Sequence, residues 1–561
     1  MTTPDQSDKA EPRPRKPQTL AAVLALIQAD TSLTIGRRRA LASGLRSFAK
    51  AVHAPLEELS TRLDALRTRM NRYTPAMVGM SEGRWRNCLS ETRKALTHVG
   101  IIKAPARSST PFAPAWAALL APLNKTHAQI AVSRFARYCT NHGIAPEQVT
   151  DADLDSFLLV MTEDSLIKKP REVHQTTIRV WNRMAGVQSG WPTLQLRAPC
   201  YSNTYILAWD RYPASLKQEV DAYFDHLAGK DILAELDFRP LKPASLRTRT
   251  YQLRAYLAAL VHSGIDPQQL GSLGDIVALD LVRVGLRFFL DRSEKKSTKQ
   301  AHAIAGLLLS LARHWVRLDD RAVDQIRKLV ARLKPRQQGM APKNRDRLRQ
   351  FDDPENVAKL LGLPEQLVAI AAKTKHPTQS EALLVQIALA IEVLLMVPIR
   401  RSNLARLEID RHLIRSRKGI VHLSIPEHEV KNGMPIDAMM PKGFSALLEL
   451  YLKRYRPLLE TEPTPYLFPG RGNRSKDQDG FGLQISDCIK EHCGLLVNPH
   501  LFRSLAAKLY LTAHPGAYGV VRLMNGHKSV ETTTRYYCGT ESAAALARYD
   551  EHVIKLRRKV A

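Results

Sequence analysis

Two stretches of this chain align without a gap, and each reads as a helix closed by glycine and followed by a proline-started segment. Val132 to Gln148 lies on Leu253 to Gln269, with Gly143, Ile144, Pro146 and Gln148 recurring as Gly264, Ile265, Pro267 and Gln269. A glycine just past the last turn takes the left-handed backbone that closes a helix, and proline suits the first position of the next. A shorter copy runs from Leu45 to Leu59, lacking four residues before Pro55. Repetition of this unit predicts several helical modules rather than one compact domain. The 561 residues, at roughly 100 to 200 per domain, allow three to five.

The charge balance says what such modules face. Lys and Arg number 83 against 54 Asp and Glu, a net charge of +29, and an extended polyanion is the expected partner of so basic a surface. Each repeat copy is preceded by a basic, helix-starting stretch, at 34–39, 125–127 and 245–249. Arg37, Arg38, Lys125, Arg247 and Arg249 are the candidate phosphate contacts there, and a solvated helix face is the competing use of the same residues.

Cys88, Cys139, Cys200, Cys488, Cys493 and Cys538 are scattered with no CxxC pair. That spacing points to neither a disulfide framework nor a zinc module, and it fits a reducing cytoplasm, or the nucleoid of a bacterial host. The apolar run Ala382 to Val397 contains Gln386 and Glu392 and is shorter than the roughly 20 residues of a membrane span, so a buried helix is expected and no membrane partner. Residues 1–17 are polar and Pro-rich, with Arg13, Arg15 and Lys16, and read as a disordered basic arm.

The expected organisation is mainly α and multidomain. Helical modules at 18–105 and 112–195 are candidates for DNA binding, a third helical domain spans 200–335, and 336–350 is a basic linker whose Lys343, Arg345 and Arg347 are further candidate phosphate contacts. An α-rich domain then fills 351–561, interrupted by a small β-hairpin from Gly419 to Met440 whose turn signal is Asn432-Gly433. The loop 470–480 is polar and expected to be mobile, and Ser542 to Lys559 has helical spacing at Leu546, Tyr549, Val553 and Leu556 that can pack on its own domain or reach a neighbour.

This last domain holds residues suited to one reaction. Breaking a phosphodiester without a metal requires neutralising the nonbridging oxygens, activating a nucleophile and protonating the departing oxygen. Arginine suits the first task because its planar guanidinium stays charged and bonds two oxygens at once. The relevant strings are Pro398-Ile-Arg-Arg-Ser-Asn-Leu404, Asn498-Pro-His-Leu-Phe-Arg503 and Met524-Asn-Gly-His-Lys-Ser-Val-Glu-Thr-Thr-Thr-Arg-Tyr536, with Lys431 beside Asn432-Gly433.

Together these strings resemble the tyrosine recombinase family, the phage integrase type of site-specific recombinase. Ile399-Arg-Arg-Ser-Asn-Leu404 corresponds to the family's Leu-Arg-x-Ser-Glu-Leu pattern. Gly526-His527 followed by Ser529, Thr532, Thr533 and Tyr536 corresponds to Gly-His-x-Ser-x-x-Thr-Thr-x-x-Tyr, the most specific piece. The resemblance implies Arg400 and Arg503 as phosphate clamps, with Arg401 a rival by adjacency. It implies Lys431 as the acid for the leaving 5′ oxygen, with Lys418 and Lys442 as rivals. His500 and His527 assist, and Tyr536 rather than the adjacent Tyr537 is the nucleophile. Two positions depart from the pattern: Asn403 stands where Glu is usual, and Ser504 where His often follows the arginine.

The motifs cover residues about 350 to 540, and 200 to 335 fit by position and helix pattern alone. The resemblance implies a site-specific recombinase that cuts and rejoins double-stranded DNA through a 3′-phosphotyrosine bond. It would serve integration, excision or resolution of a mobile element with no cofactor and no metal, as a homotetramer on paired sites and with accessory recombination proteins. A type IB topoisomerase, a hairpin resolvase and a non-catalytic DNA-binding accessory protein are the alternative readings.

Overall fold

The structure is a computed structural model. It describes residues 17–103, 111–123, 127–198, 205–230, 240–293, 298–335, 339–417, 419–537 and 542–560, without the side chains of Thr532, Arg535, Tyr536, Tyr537 and several residues from 542 onward. Helices dominate, and one three-stranded antiparallel sheet completes the regular structure among these residues. The expected N-terminal arm lies outside the described residues apart from Pro17. Chain contacts divide the molecule into one unit of residues 1–199 with 339–561 and another of 200–338.

The 200–338 unit has its own buried core, drawn from Ala214–Ala228, Pro243–His262, Leu279–Ser293, Lys299–Ser310 and Asp320–Leu333. Helix Leu279–Ser293 presses Gly285 against helix Pro243–His262 so closely that a Cβ there would lie 2.3 Å from the Tyr256 ring. Tyr256 is fully buried and satisfies its hydroxyl on the Ile276 carbonyl at 2.7 Å.

The larger unit holds three buried cores. The first surrounds Ile35–Ala51 and Glu82–His98, which meet at Gly44. The second is aromatic, with Trp116, Phe135, Phe157, Trp181 and Trp191 in mutual ring contact. Arg67 ties these two together by donating to the carbonyls of Thr162 at 2.6 Å and Ser165 at 2.7 Å.

The repeat is visible in the backbone. Gly143 at φ 69° and Gly264 at φ 96° end helices His127–Asn141 and Pro243–His262. In each, the next amide reaches five residues back, Ile144 to Cys139 at 2.9 Å and Ile265 to Leu260 at 3.1 Å, which closes the helix by a Schellman motif. Pro146 and Pro267 then open 3-10 turns. The shorter copy uses His53 at φ 51° in the glycine's place.

The third core is built on helix Gln379–Met396, which a Thr378–Glu381 capping box starts, Thr378 donating its backbone amide to Glu381 Oε2 at 2.7 Å. By length and composition this helix could cross a membrane, but its middle, Gln386 included, is wholly inside the core. Gln386 donates to the Tyr451 hydroxyl at 3.0 Å. Pro398 stops the helix and turns the chain into the short helix Arg401–Ala405.

The hairpin expected between Gly419 and Met440 is present, and the structure adds detail at three places. The Gly419 to Met440 segment is part of a wider sheet. β1 (Leu413–Arg415) pairs with β2 (Val421–Ile425), and β2 pairs with β3 (Ile436–Met439) in the register Ile425 to Ile436. Asn432-Gly433 turns within a ten-residue connection rather than closing a tight hairpin, because the 3-10 turn Glu427–Glu429 and buried Val430 intervene. Within the basic linker, Pro342–Arg349 is helical, opened by Pro342 at its first position and held by buried Leu348. The loop 470–480 is folded back on itself, with Gly470 donating to the Arg474 carbonyl at 2.8 Å and Lys476 to the Phe468 carbonyl at 3.1 Å.

Candidate active site

Arg400 and Arg401 are separated by the turn that Pro398 forces. Arg400 caps helix Arg401–Ala405 and donates from Nη1 to Asn432 Oδ1 at 3.0 Å. Arg401 pairs instead with Asp479 at 2.5 Å. Both line a cavity of about 580 Å³ with Gln478, Asn498 and His500.

Arg503 enters from helix Leu501–Ala513 and is 5% exposed. A guanidinium so placed needs acceptors, since a buried unpaired charge is far too costly. It donates to the Pro398 carbonyl at 2.8 Å and to the Asn525 carbonyl. The first contact fixes the turn carrying Arg400. The second fixes the turn carrying His527.

His527 follows the end of helix Tyr518–Met524, where Gly526 adopts φ 56° and the His527 amide reaches back to the Arg522 carbonyl at 2.9 Å. A side chain at 526 would be strained in that backbone. The His527 Nδ1 lies 2.9 Å from Thr533 Oγ1, which engages that nitrogen. Burial, then the Arg503 and Arg400 charges, hold the imidazole down at a pKa of about 4. His500 stands at the head of the Arg503 helix. Desolvation first, then Arg503, Arg400 and Arg401, lower its pKa as well, although the residue is exposed at the cavity rim. Arg400 and His500 line one cavity, and Arg503 fastens the turns that carry Arg400 and His527, so the four lie in one region of the domain.

Lys431 sits on the β2–β3 connection next to Asn432 and is exposed, with no hydrogen-bond or ion-pair partner among the described residues. Of its rivals, Lys442 opens helix Lys442–Leu450 and Lys418 lies outside the described residues. Tyr536 and Tyr537 end helix Val530–Tyr537, whose other end follows the His527 turn; the structure describes their backbone and not their side chains. Asn403, at the Glu position of the resembled pattern, is buried and donates to the Glu429 carbonyl at 3.3 Å. Ser504 is buried beside Arg503.

The phosphate candidates elsewhere divide. Arg37 is committed to Glu91 at 2.7 Å, and Arg38 leans on the Gln28 carbonyl at 3.4 Å. Arg247, Lys343 and Arg345 are exposed, Arg249 and Arg347 half-buried, and Lys125 falls outside the described residues. Cys88, Cys139, Cys488 and Cys493 are buried free thiols, while Cys200 and Cys538 lie outside the described residues. Among the described residues no His, Cys, Asp and Glu cluster suits a metal ion.

Sequence reasoning missed Asn432 and Asp479. Asn432 was legible only as half of a turn dipeptide, and Asp479 carries no local signal of its bond to Arg401.

Comparison with known proteins bears on the C-terminal segment. Residues 363–542 match the phage integrase family. No curated protein sequence matches the chain. Among solved structures, lambda integrase residues 75–356, a dimer bound to a COC′ core site, shares 16% identity at a TM-score of 0.34, over 57% of this chain and 94% of that one. A lambda integrase tetramer bound to a Holliday junction shares 14% at 0.35, over 58% and 79%. The Tn1549 transposon integrase with circular intermediate DNA shares 14% at 0.33, over 58% and 98%. Residues 363–542 of this chain thus match the phage integrase family, and Arg400, Lys431, His500, Arg503, His527 and Tyr536 all fall within the match.

Proposed function

We propose that this protein is a site-specific recombinase that cuts and rejoins duplex DNA through a 3′-phosphotyrosine bond on Tyr536. The observation that carries the reading is the meeting of Arg400, His500, Arg503 and His527, with Arg400 and His500 on one cavity and Arg503 bonded to the turns that carry Arg400 and His527. A scissile phosphate entering the cluster meets charge that is already oriented, so little reorganisation is left for the transition state.

In the proposed reaction the Tyr536 hydroxyl oxygen forms a bond to phosphorus while the bond to the 5′ oxygen breaks. The tyrosine proton passes to neutral His500, and the departing oxygen takes its electron pair and a proton from Lys431. His527 contacts a nonbridging oxygen, its ring steadied through Nδ1 by Thr533. Rejoining is the reverse: a 5′ hydroxyl returns its proton to the Lys431 amine, and imidazolium returns the other to tyrosine. The energy of the phosphoester is kept in the tyrosine bond, so no nucleotide cofactor is needed.

The resemblance further implies four protomers on two DNA sites, with integration, excision or resolution as the outcome and the cytoplasm as the setting. Exposed Arg247, Lys343 and Arg345 are the residues we assign to phosphates away from the cut. A nicked suicide substrate that loses its 5′ fragment tests the core of the reading. A covalent DNA adduct on Tyr536 is expected, and absence of any adduct with DNA that the protein binds overturns it.

A further inference from the structure

The connection between β2 and β3 is anchored on both sides of Lys431. On the upstream side Val430 is fully buried, and Asn403 holds the Glu429 carbonyl at 3.3 Å. The Glu429 carboxylate is gripped by Arg411 and by His412, whose Nε2 lies 3.1 Å away. His412 Nδ1 accepts from the Glu408 amide at 2.9 Å, so Nε2 carries the proton and donates to the carboxylate. On the downstream side the Asn432 side chain bonds to two other segments. Asn432 accepts from Arg400 through Oδ1 at 3.0 Å and donates through Nδ2 to the Gly526 carbonyl. Its two amide atoms therefore touch the two other segments of the site, one at a phosphate-clamping arginine and one at the residue before His527.

We propose that Asn432 is a positioning residue that sets Lys431 in register with Arg400 and His527 before DNA arrives. This deepens the reading above and rests on Lys431 as the general acid. An ammonium on a flexible stem samples many positions, and proton transfer demands hydrogen-bond reach of the departing oxygen. Pinning the main chain at 430 and 432 confines the lysine root while leaving its head free to follow the leaving group.

The chemistry gives a readout that a merely structural role does not move. A 5′-bridging phosphorothiolate places sulfur at the leaving position, and a thiol with a pKa of about 8.5 departs as an anion without a proton donor. Single-turnover cleavage of oxygen and sulfur substrates is to be measured with the full chain, its Lys431→Ala variant and its Asn432→Ala variant. Lys431→Ala should lose roughly 10²- to 10⁴-fold on oxygen and recover on sulfur. Asn432→Ala should lose about 10- to 100-fold on oxygen, within the range expected when a general acid is misplaced. It should recover most of that on sulfur with DNA affinity unchanged.

Asn432→Asp serves as a second variant should alanine unfold the loop. It is isosteric and keeps the acceptor for Arg400 but lacks the donor to Gly526, and its defect should also be smaller on sulfur. A defect of equal size on both substrates, or wild-type cleavage by both Asn432 variants, overturns the positioning role while leaving Lys431 as the acid. Failure of sulfur to recover Lys431→Ala overturns the general-acid reading, and the positioning role with it.

Discussion

Arg503 and Asn525 hold each other in both directions. The guanidinium donates to the Asn525 carbonyl, and the Asn525 side-chain amide donates to the Arg503 carbonyl at 3.3 Å. A residue assigned to catalysis is thereby also a fastener of the fold, and its loss should show in two measurements.

Arg503→Ala should lower cleavage by roughly 10²- to 10³-fold, the usual cost of one oriented charge stabiliser. It should also lower stability, because the Pro398 and Asn525 carbonyls lose their donor in a buried site, at about 1 to 3 kcal/mol for each unsatisfied group. Arg400→Ala should match the loss of rate with a smaller loss of stability, since Arg400 is only half-buried. Denaturant melts beside single-turnover rates separate the two, and equal stability of both variants contradicts the fastening role.

Tyr536→Phe should abolish the covalent adduct and leave DNA binding intact, because only the nucleophilic oxygen is removed. Tyr537→Phe should keep the adduct. Mass spectrometry of the trapped peptide checks the choice, and DNA found on Tyr537 reverses it.

His527 should titrate near pH 4 in the DNA-free protein. With its folded pKa below the ordinary value of about 6.5, the unfolded chain binds that proton more readily. The contribution to stability is therefore whole above pH 6.5 and is lost as the pH falls toward 4. His527→Asn should flatten stability against pH in that window, and ring-proton NMR of the parent should show no titration at pH 6 to 7. A midpoint near 6.5 refutes this.

Gly494→Ala should loosen the N-terminal module from the C-terminal domain. Gly494 has φ 74°, and a Cβ there would lie 2.8 Å from the Met77 amide nitrogen, so backbone rather than a flexible side chain must move. A left-handed non-glycine residue alone costs roughly 1 to 2 kcal/mol. The expected result is faster proteolysis between residues 74 and 80 with little change in the melting of the 200–338 unit; unaltered cleavage there argues against the contact.

How far the sequence revealed this molecule depends on the range of each interaction. Gly143 and Gly264 were readable because a helix C-cap is decided within a few residues, and the buried helix because its apolar run, Ala382 to Val397, is local. Arg400, His500, Arg503 and His527 could be named because each sits in a short string. Asn432-Gly433 marked the bend of the hairpin, whereas the 3-10 turn and the buried Val430 before it carry no such local signal. The composition of the basic stretch after Lys334 does not show that part of it is helical or that Leu348 finds a core. Asn432 and Asp479 gain their roles only when segments distant in sequence meet.

Helix Gln478–Cys493 has attachments near both ends. Near its start Asp479 holds Arg401 at the rim of the cavity. Near its finish the Thr74 hydroxyl donates to the Lys490 carbonyl at 2.9 Å, and Lys490 reaches the Asn71 carbonyl at 3.4 Å. Sixteen residues at 1.5 Å each make a rod of about 24 Å, too short to flex much under thermal load. The two ends move as one body, so the wall of the cleft takes its mechanical footing from a part of the chain some four hundred residues upstream.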